Sequence, residues 1–202
     1  MGRVHKERIR LEGAGFKSNL SLAIGLRGFI SDRLPQRTGI PHMAIKVGDT
    51  LPSATFMTFT AEGPAPLTSD ELFKGKTVAL FAVPGAFTPT CSAKHLPGFK
   101  EKSADLKAKG VDAIACVSVN DVFVMKAWAA DQGITDEVLL LADGNGAFTQ
   151  ALGLEFDGSK FGMGLRSQRY SLIAKDGVVE TLNVEEGGEF KVSSADYMLG
   201  QL

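Results

Sequence analysis

The residues best equipped for chemistry lie in one string, VPGAFTPTCS, from Val83 to Ser92. The apolar run VALFAV (78–83) leads into it, and a segment rich in Ala, Lys, Leu and Glu (92–109) leads out. Pro84, Gly85, Thr88 and Pro89 mark the junction as a tight loop, which predicts that Cys91 sits in the first turn of a helix. Unpaired backbone N–H groups and the positive end of the helix dipole favour an anion there, so this spacing points to thiolate chemistry. The competing reading is a small buried hydrophobe, the usual place of an unpaired cysteine. Thr88, Thr90 and Ser92 surround Cys91 with hydroxyls and argue instead for a polar, accessible site.

Two further groups could join such a thiol. His95 stands four residues beyond Cys91, on the same helix face, where it could tune the thiolate or simply lie on the surface. A thiol with an ordinary pKa near 8.5 is mostly protonated at neutral pH, so a fixed cation is needed to hold the anion. Arginine suits this need because it is always charged and cannot donate a proton that would quench the nucleophile. Arg166 and Arg169, in the string LRSQRYS, are the candidates. Metal binding is a weak rival: Cys91 and His95 could ligate together, but the remaining soft ligands, Cys116, His5 and His42, show no zinc-type spacing.

The elements that must position these groups alternate along the chain. Strands are predicted over 78–83, 113–119, 138–142, 170–174 and 178–183, and helices over 92–109, 122–131, 145–152 and 194–202. The last two strands are joined by Lys175-Asp176-Gly177, too short for a parallel crossover, so they must be antiparallel. The pattern is α/β, a mixed sheet flanked by helices, and a thioredoxin-like arrangement satisfies it.

The 202 residues, 44% hydrophobic with a formal net charge of -1, suit one globular domain and give no reason to expect nucleic acid as a partner. No apolar run approaches the roughly 18 residues of a membrane span. Two cysteines cannot make a secreted disulfide scaffold, and no signal-peptide core is visible, so a reducing compartment is expected, cytoplasmic by default. Residues 1–42 form a basic extension, with Arg3, Lys6, Arg8, Arg10, Lys17, Arg27, Arg33 and Arg37 against Glu7, Glu12 and Asp32. It is expected to be disordered. It reads as a start assigned too far upstream, an expression remnant, or a targeting segment that would place the protein in an organelle matrix; the folded domain is expected over 43–202.

Four separated motifs occur in order: Pro84-x3-Thr88-x2-Cys91, CVSVND from Cys116, LRSQRYS with Arg169, and LNVEEGGEF. Together they resemble the peroxiredoxins, specifically the type II or peroxiredoxin-5-like branch, over about 43–202. The resemblance implies a thiol peroxidase that reduces hydrogen peroxide and alkyl hydroperoxides to water and alcohols. It implies Cys91 as the attacking sulfur that becomes a sulfenic acid, Thr88 as a hydrogen-bonding partner of thiolate or peroxide, Arg169 as the stabilising cation, and Pro84 as a shield against water. It also suggests a homodimer with the active-site loops at or near the interface, where Phe87 is a candidate contact.

Some members of this branch resolve the sulfenic acid with a C-terminal cysteine, but here the corresponding FKVSSA (190–195) carries serines. Cys116, shared with plant-like members, is a possible resolving residue, yet it lies in the apolar strand AIACVSV, where cysteines tend to be inert. The expected cycle is therefore of the one-cysteine type, with glutathione, glutaredoxin or thioredoxin as external reductant and no cofactor or metal. A peroxide sensor that relays oxidation to a bound partner would use the same thiol. A thioredoxin-like exchanger is disfavoured because the chain has no C-x-x-C pair.

Overall fold

The computed structural model describes residues 43–202; the basic extension over 1–42 lies outside the described residues. The chain enters through a hairpin, β1 (Thr55–Thr60) and β2 (Gly63–Thr68), followed by α1 (Ser69–Phe73). Sequence periodicity misses this hairpin because Pro64 and Pro66 interrupt it. The structure tolerates both by placing β2 at the sheet edge, where a missing N–H breaks no inner ladder. Thr68 caps α1 through a capping box with Glu71.

Strand β3 (Thr77–Ala82) then runs into the loop ahead of a π-helical turn, Cys91–His95, continued by α2 (Leu96–Glu101) and α3 (Ser103–Ala108). The single helix expected over 92–109 is thus three segments. Pro97, which lacks an N–H, opens α2, and the widened turn before it is closed by the Leu96 N–H donating to the Cys91 carbonyl. Next come β4 (Ala113–Ser118), α4 (Val122–Asp131), β5 (Leu139–Ala142) and α5 (Ala147–Ala151). A small hairpin of β6 (Glu155–Asp157) and β7 (Leu165–Ser167) follows, then β8 (Tyr170–Lys175), β9 (Val178–Val184) and α6 (Ala195–Leu199). The β6–β7 pair, like the β1–β2 hairpin and α1, falls outside the elements expected from the sequence.

The main sheet has the order β2-β1-β5-β4-β3-β8-β9. Strands β3, β4 and β5 are parallel, and β8, β9 and β1 run against their neighbours, so the sheet is mixed and the fold is thioredoxin-like, as expected. Asp176 and Gly177 both take positive φ, 48° and 79°, the backbone twist that a two-residue hairpin between β8 and β9 requires.

Alternation along the central strands divides the core. Val78, Leu80 and Ala82 face one helix layer with Phe148, Leu172 and Tyr170; Ala79, Phe81 and Val83 face the other with Leu96, Phe99, Met125 and Trp128. Each fully buried large side chain contributes about 1.5–3 kcal/mol. The second face matters for chemistry, because Cys91 and Cys116 both belong to it.

Candidate active site

The parallel strands β3, β4 and β5 end at one edge of the sheet, and the loops leaving them build the site. The 84–88 loop is held by Asn120, whose Oδ1 accepts the Ala86 N–H at 3.0 Å and the Ser118 hydroxyl at 2.7 Å. Gly85 fits closely there: a Cβ would come within 3.2 Å of Thr88 Cγ2, tight enough that Thr88 would have to shift. Phe87 is held at φ 60° and stands 51% exposed, an uncommon conformation for a bulky residue. Pro89 and Thr90 begin the helix, the Ser92 N–H donates to the Thr88 carbonyl, and Cys91 follows in the first turn as predicted.

The expected exposure of Cys91 is corrected. The residue is fully buried among Phe81, Val83, Leu96 and Phe99, because the helix start packs its inward face on the sheet. Its hydroxyl neighbours are committed elsewhere: the Thr88 hydroxyl donates to the Gly85 carbonyl at 2.9 Å, and Ser92 Oγ accepts the Trp128 indole N–H at 2.9 Å. Arg169, which lies between β7 and β8 and is itself only 8% exposed, reaches the buried sulfur. Arg169 Nη1 donates to Cys91 Sγ at 3.4 Å, a cation placed on the sulfur in a site that water barely reaches.

Arg166, the other candidate, is occupied with backbone: its Nε donates to the Met163 carbonyl at 2.9 Å and its Nη1 to the Val119 carbonyl at 3.0 Å. Pro84 is half-buried and, with Arg169, lines a pocket of about 650 Å3 whose walls include Phe156, Phe161 and Met163. The pocket adjoins Arg169 at the edge of the site and has largely apolar sides.

His95 is not on the surface. It is fully buried, packed on Phe81, Phe99 and Phe190 with ring centroids 4.8, 5.7 and 5.0 Å away. Its Nδ1 lies 3.1 Å from Arg169 Nη1 and its Nε2 3.0 Å from the Ser193 carbonyl. Arginine can only donate and a carbonyl can only accept, so Nδ1 is unprotonated and Nε2 carries the proton. Desolvation, with the Arg169 charge beside it, lowers the His95 pKa from 6.5 to about 3. Sequence reasoning could place His95 on the Cys91 face of the helix but not the side chains that enclose it.

Cys116 sits on β4 opposite Phe81, on the same sheet face as Cys91, and both thiols are free. Burial pushes the Cys116 thiol well above its ordinary range, and the nearby Cys91 adds to this while Arg169 opposes it. It is a poor nucleophile on a rigid strand. Among the described residues, no group of three His, Cys, Asp or Glu side chains is arranged to hold a metal ion.

A cysteine under an arginine at a helix start, on a thioredoxin-like sheet, is an arrangement suited to thiol redox chemistry and places the chain in the thioredoxin-fold class. Comparison with known proteins narrows this. The Redoxin family model matches residues 46–199. Peroxiredoxin-2E, chloroplastic, of Arabidopsis thaliana is 54% identical over 163 residues, covering 79% of this chain and 70% of that protein. Peroxiredoxin-2B of the same plant is 52% identical over 159 residues, covering 78% of this chain and 98% of that protein. The crystal structure of reduced Prx3 from Vibrio vulnificus in complex with hydrogen peroxide aligns with a TM-score of 0.75 at 57% identity, covering 78% of this chain and 98% of that one. The chain belongs to the peroxiredoxin family.

Proposed function

We propose that the protein reduces hydrogen peroxide and organic hydroperoxides in a one-cysteine cycle, with Cys91 as the peroxidatic residue and an external thiol as reductant. The observation that carries this reading is the 3.4 Å contact of Arg169 Nη1 with the buried Cys91 sulfur. The thiolate attacks the near oxygen of the peroxide. The S–O bond forms as the O–O bond breaks, the leaving oxygen takes a proton and departs as water or alcohol, and Cys91 becomes a sulfenic acid. Arg169 donors face the charge that develops on both oxygens. Pro84 narrows access of water, and Thr88, with lone pairs free beside its bond to Gly85, can accept from the incoming peroxide.

A first external thiol then displaces hydroxide, released as water, to give a mixed disulfide, and a second thiol regenerates Cys91 with release of the oxidised dithiol. Glutathione with glutaredoxin is the preferred donor and thioredoxin the second. No cofactor or metal is required, since each step uses side chains and the thiol co-substrate. Burial of Cys116 in β4 and the serines at 193 and 194 support external resolution. Exposed Phe87 supports a homodimer built on the active-site loop. For compartment, the cytoplasm is the first reading, and the chloroplastic name of one plant relative supports the organelle matrix as the alternative, with residues 1–42 as targeting segment.

Peroxide consumption by the purified protein, followed with glutathione plus glutaredoxin and separately with thioredoxin plus its reductase, tests the cycle. Multiple rapid turnovers are expected with the first pair, and no more than a single turnover with both would reject the peroxidase reading. Cys116→Ser retains most of the turnover; loss of turnover in a folded Cys116→Ser protein would show that Cys116 resolves. Arg169→Met lowers kcat/KM for hydrogen peroxide by roughly 10²–10³-fold, the usual effect of removing one transition-state donor. Stopped-flow measurement of the oxidation step reads this directly.

A further inference from the structure

The peptide unit between Gly85 and Ala86 is fixed at both ends. Its carbonyl accepts the Thr88 hydroxyl at 2.9 Å, and its N–H donates to Asn120 Oδ1 at 3.0 Å. Asn120 lies in the short loop between β4 and α4, outside the cysteine string. A backbone N–H can only donate, so the amide oxygen of Asn120 is the atom that faces Ala86. The Ser118 hydroxyl donates to the same oxygen at 2.7 Å and fixes the amide in that orientation; its other acceptor, the Val83 carbonyl, is farther away at 3.4 Å. The 84–88 loop needs this hold from outside. Gly85 carries no side chain to resist turning of the peptide that follows it, and Phe87 at φ 60° is in a conformation that a bulky residue keeps only where its surroundings impose it.

We propose that Asn120 is a positioning residue: by holding the Gly85–Ala86 peptide it keeps the Thr88 hydroxyl proton on the Gly85 carbonyl, so that Thr88 meets a peroxide as a hydrogen-bond acceptor. A hydroxyl has one proton and two lone pairs. With the proton committed to Gly85, only lone pairs remain for a ligand. If the peptide turned over, its N–H would take the place of its carbonyl, Thr88 would accept from that N–H, and the hydroxyl proton would be free. A free hydroxyl proton donates to the nearest anion, and a thiolate bonded in this way is a weaker nucleophile. The orientation of one peptide therefore decides whether Thr88 serves the substrate or competes with it. Among the described residues Asn120 bonds to Ala86 and Ser118 and not to Cys91 or Arg169, so it acts through Thr88 and leaves the cation on the sulfur in place.

The inference rests on the peroxidase reading only for its kinetic arm. The full chain is compared, unchanged, as Asn120→Ala, as Thr88→Val and as the double variant, with folding checked by circular dichroism. Hydrogen exchange of the Ala86 amide, followed by NMR on the reduced proteins without peroxide, reads the peptide directly. Stopped-flow reaction with hydrogen peroxide across pH reads the oxidation step. The Ala86 amide is expected to be protected in the unchanged protein, and its protection falls by about tenfold or more in Asn120→Ala. Asn120→Ala lowers the oxidation rate by about tenfold without displacing its pH profile, since Arg169 still holds the sulfur. In the Thr88→Val background the same substitution changes the rate by less than about twofold, because the hydroxyl it serves is gone. The proposal is overturned if folded Asn120→Ala reacts at the parent's rate, if its loss multiplies in full with that of Thr88→Val, or if its pH profile moves to the alkaline side. Should Asn120→Ala not fold, Ser118→Ala, which frees the amide to turn, takes its place, and an Ala86 amide and an oxidation rate both equal to the parent's overturn the proposal. A parent that consumes no peroxide while Asn120→Ala still loses the Ala86 protection would sink the peroxidase reading and leave the hold on the peptide intact.

Discussion

Cys91→Ser abolishes thiol-dependent peroxide reduction, leaving only the uncatalysed rate. The substitution keeps the size of the side chain and adds a hydroxyl that Arg169 Nη1 can reach, so the packing around Phe81 and Phe99 is retained. What disappears is the reacting atom. A serine hydroxyl stays protonated beside Arg169 at neutral pH and cannot be oxidised by a peroxide, whereas a thiolate is both nucleophilic and oxidisable. Cys116 cannot substitute, because its thiol is fully buried on β4 and held in the protonated form. Consumption of hydrogen peroxide in the presence of excess thiol, together with an intact melting transition, checks this. Sustained turnover by Cys91→Ser would remove Cys91 from the chemistry.

The second large effect is on stability, and it follows from the neutral state of His95. In the unfolded chain this histidine binds a proton below about pH 6.5; in the folded protein it does so only near pH 3. Between these values the unfolded state holds more protons, so stability rises with pH across the window. The full contribution is therefore present above pH 6.5 and is lost progressively as the pH falls toward 3. A shift of this size corresponds to about 5 kcal/mol, a large part of the stability of an ordinary domain. About half of it is lost by pH 4.5. Glu185, whose carboxyl is lowered on folding, acts in the same direction at more acid pH, because protonating it undoes the bonds to Ser193 and Lys191. Denaturant unfolding at pH 7 and at pH 4.5 should show the loss, and His95→Gln should flatten the difference. A wild-type protein equally stable at both pH values would contradict the buried, unprotonated assignment of His95.

How far these features are legible in the sequence depends on how local their causes are. Strands β3, β4, β5, β8 and β9 follow from apolar runs such as VALFAV and AIACVSV, and helix α4 from its buried Val122, Met125 and Trp128 spaced three apart. The β1–β2 hairpin is hidden because Pro64 and Pro66 carry a breaker signal that only edge placement cancels. Pro97 is plain in the sequence, yet the widened turn it accompanies depends on how the helix start meets the sheet. Cys91 illustrates the same limit: its hydroxyl neighbours describe the loop's polarity, while packing on Phe81 and Phe99 decides which way the thiol points. Arg169 is reached through its place in the LRSQRYS motif, not through spacing from Cys91. The His95–Ser193 bond joins residues 98 apart, and no local pattern marks either Ser193 or Glu185 as its support.

The central claim is that Cys91, under Arg169, is the sulfur that takes oxygen from peroxide and is then resolved from outside. Intact mass spectrometry with peptide mapping, after one equivalent of hydrogen peroxide and before and after addition of glutathione, addresses both halves at once. The account predicts a single added oxygen on the peptide containing Cys91, trapped as a sulfenic acid, and its conversion to a glutathione adduct on the same residue. Oxygen on Cys116, a mass lower by two hydrogens from a Cys91–Cys116 bridge, or an unchanged mass would contradict it.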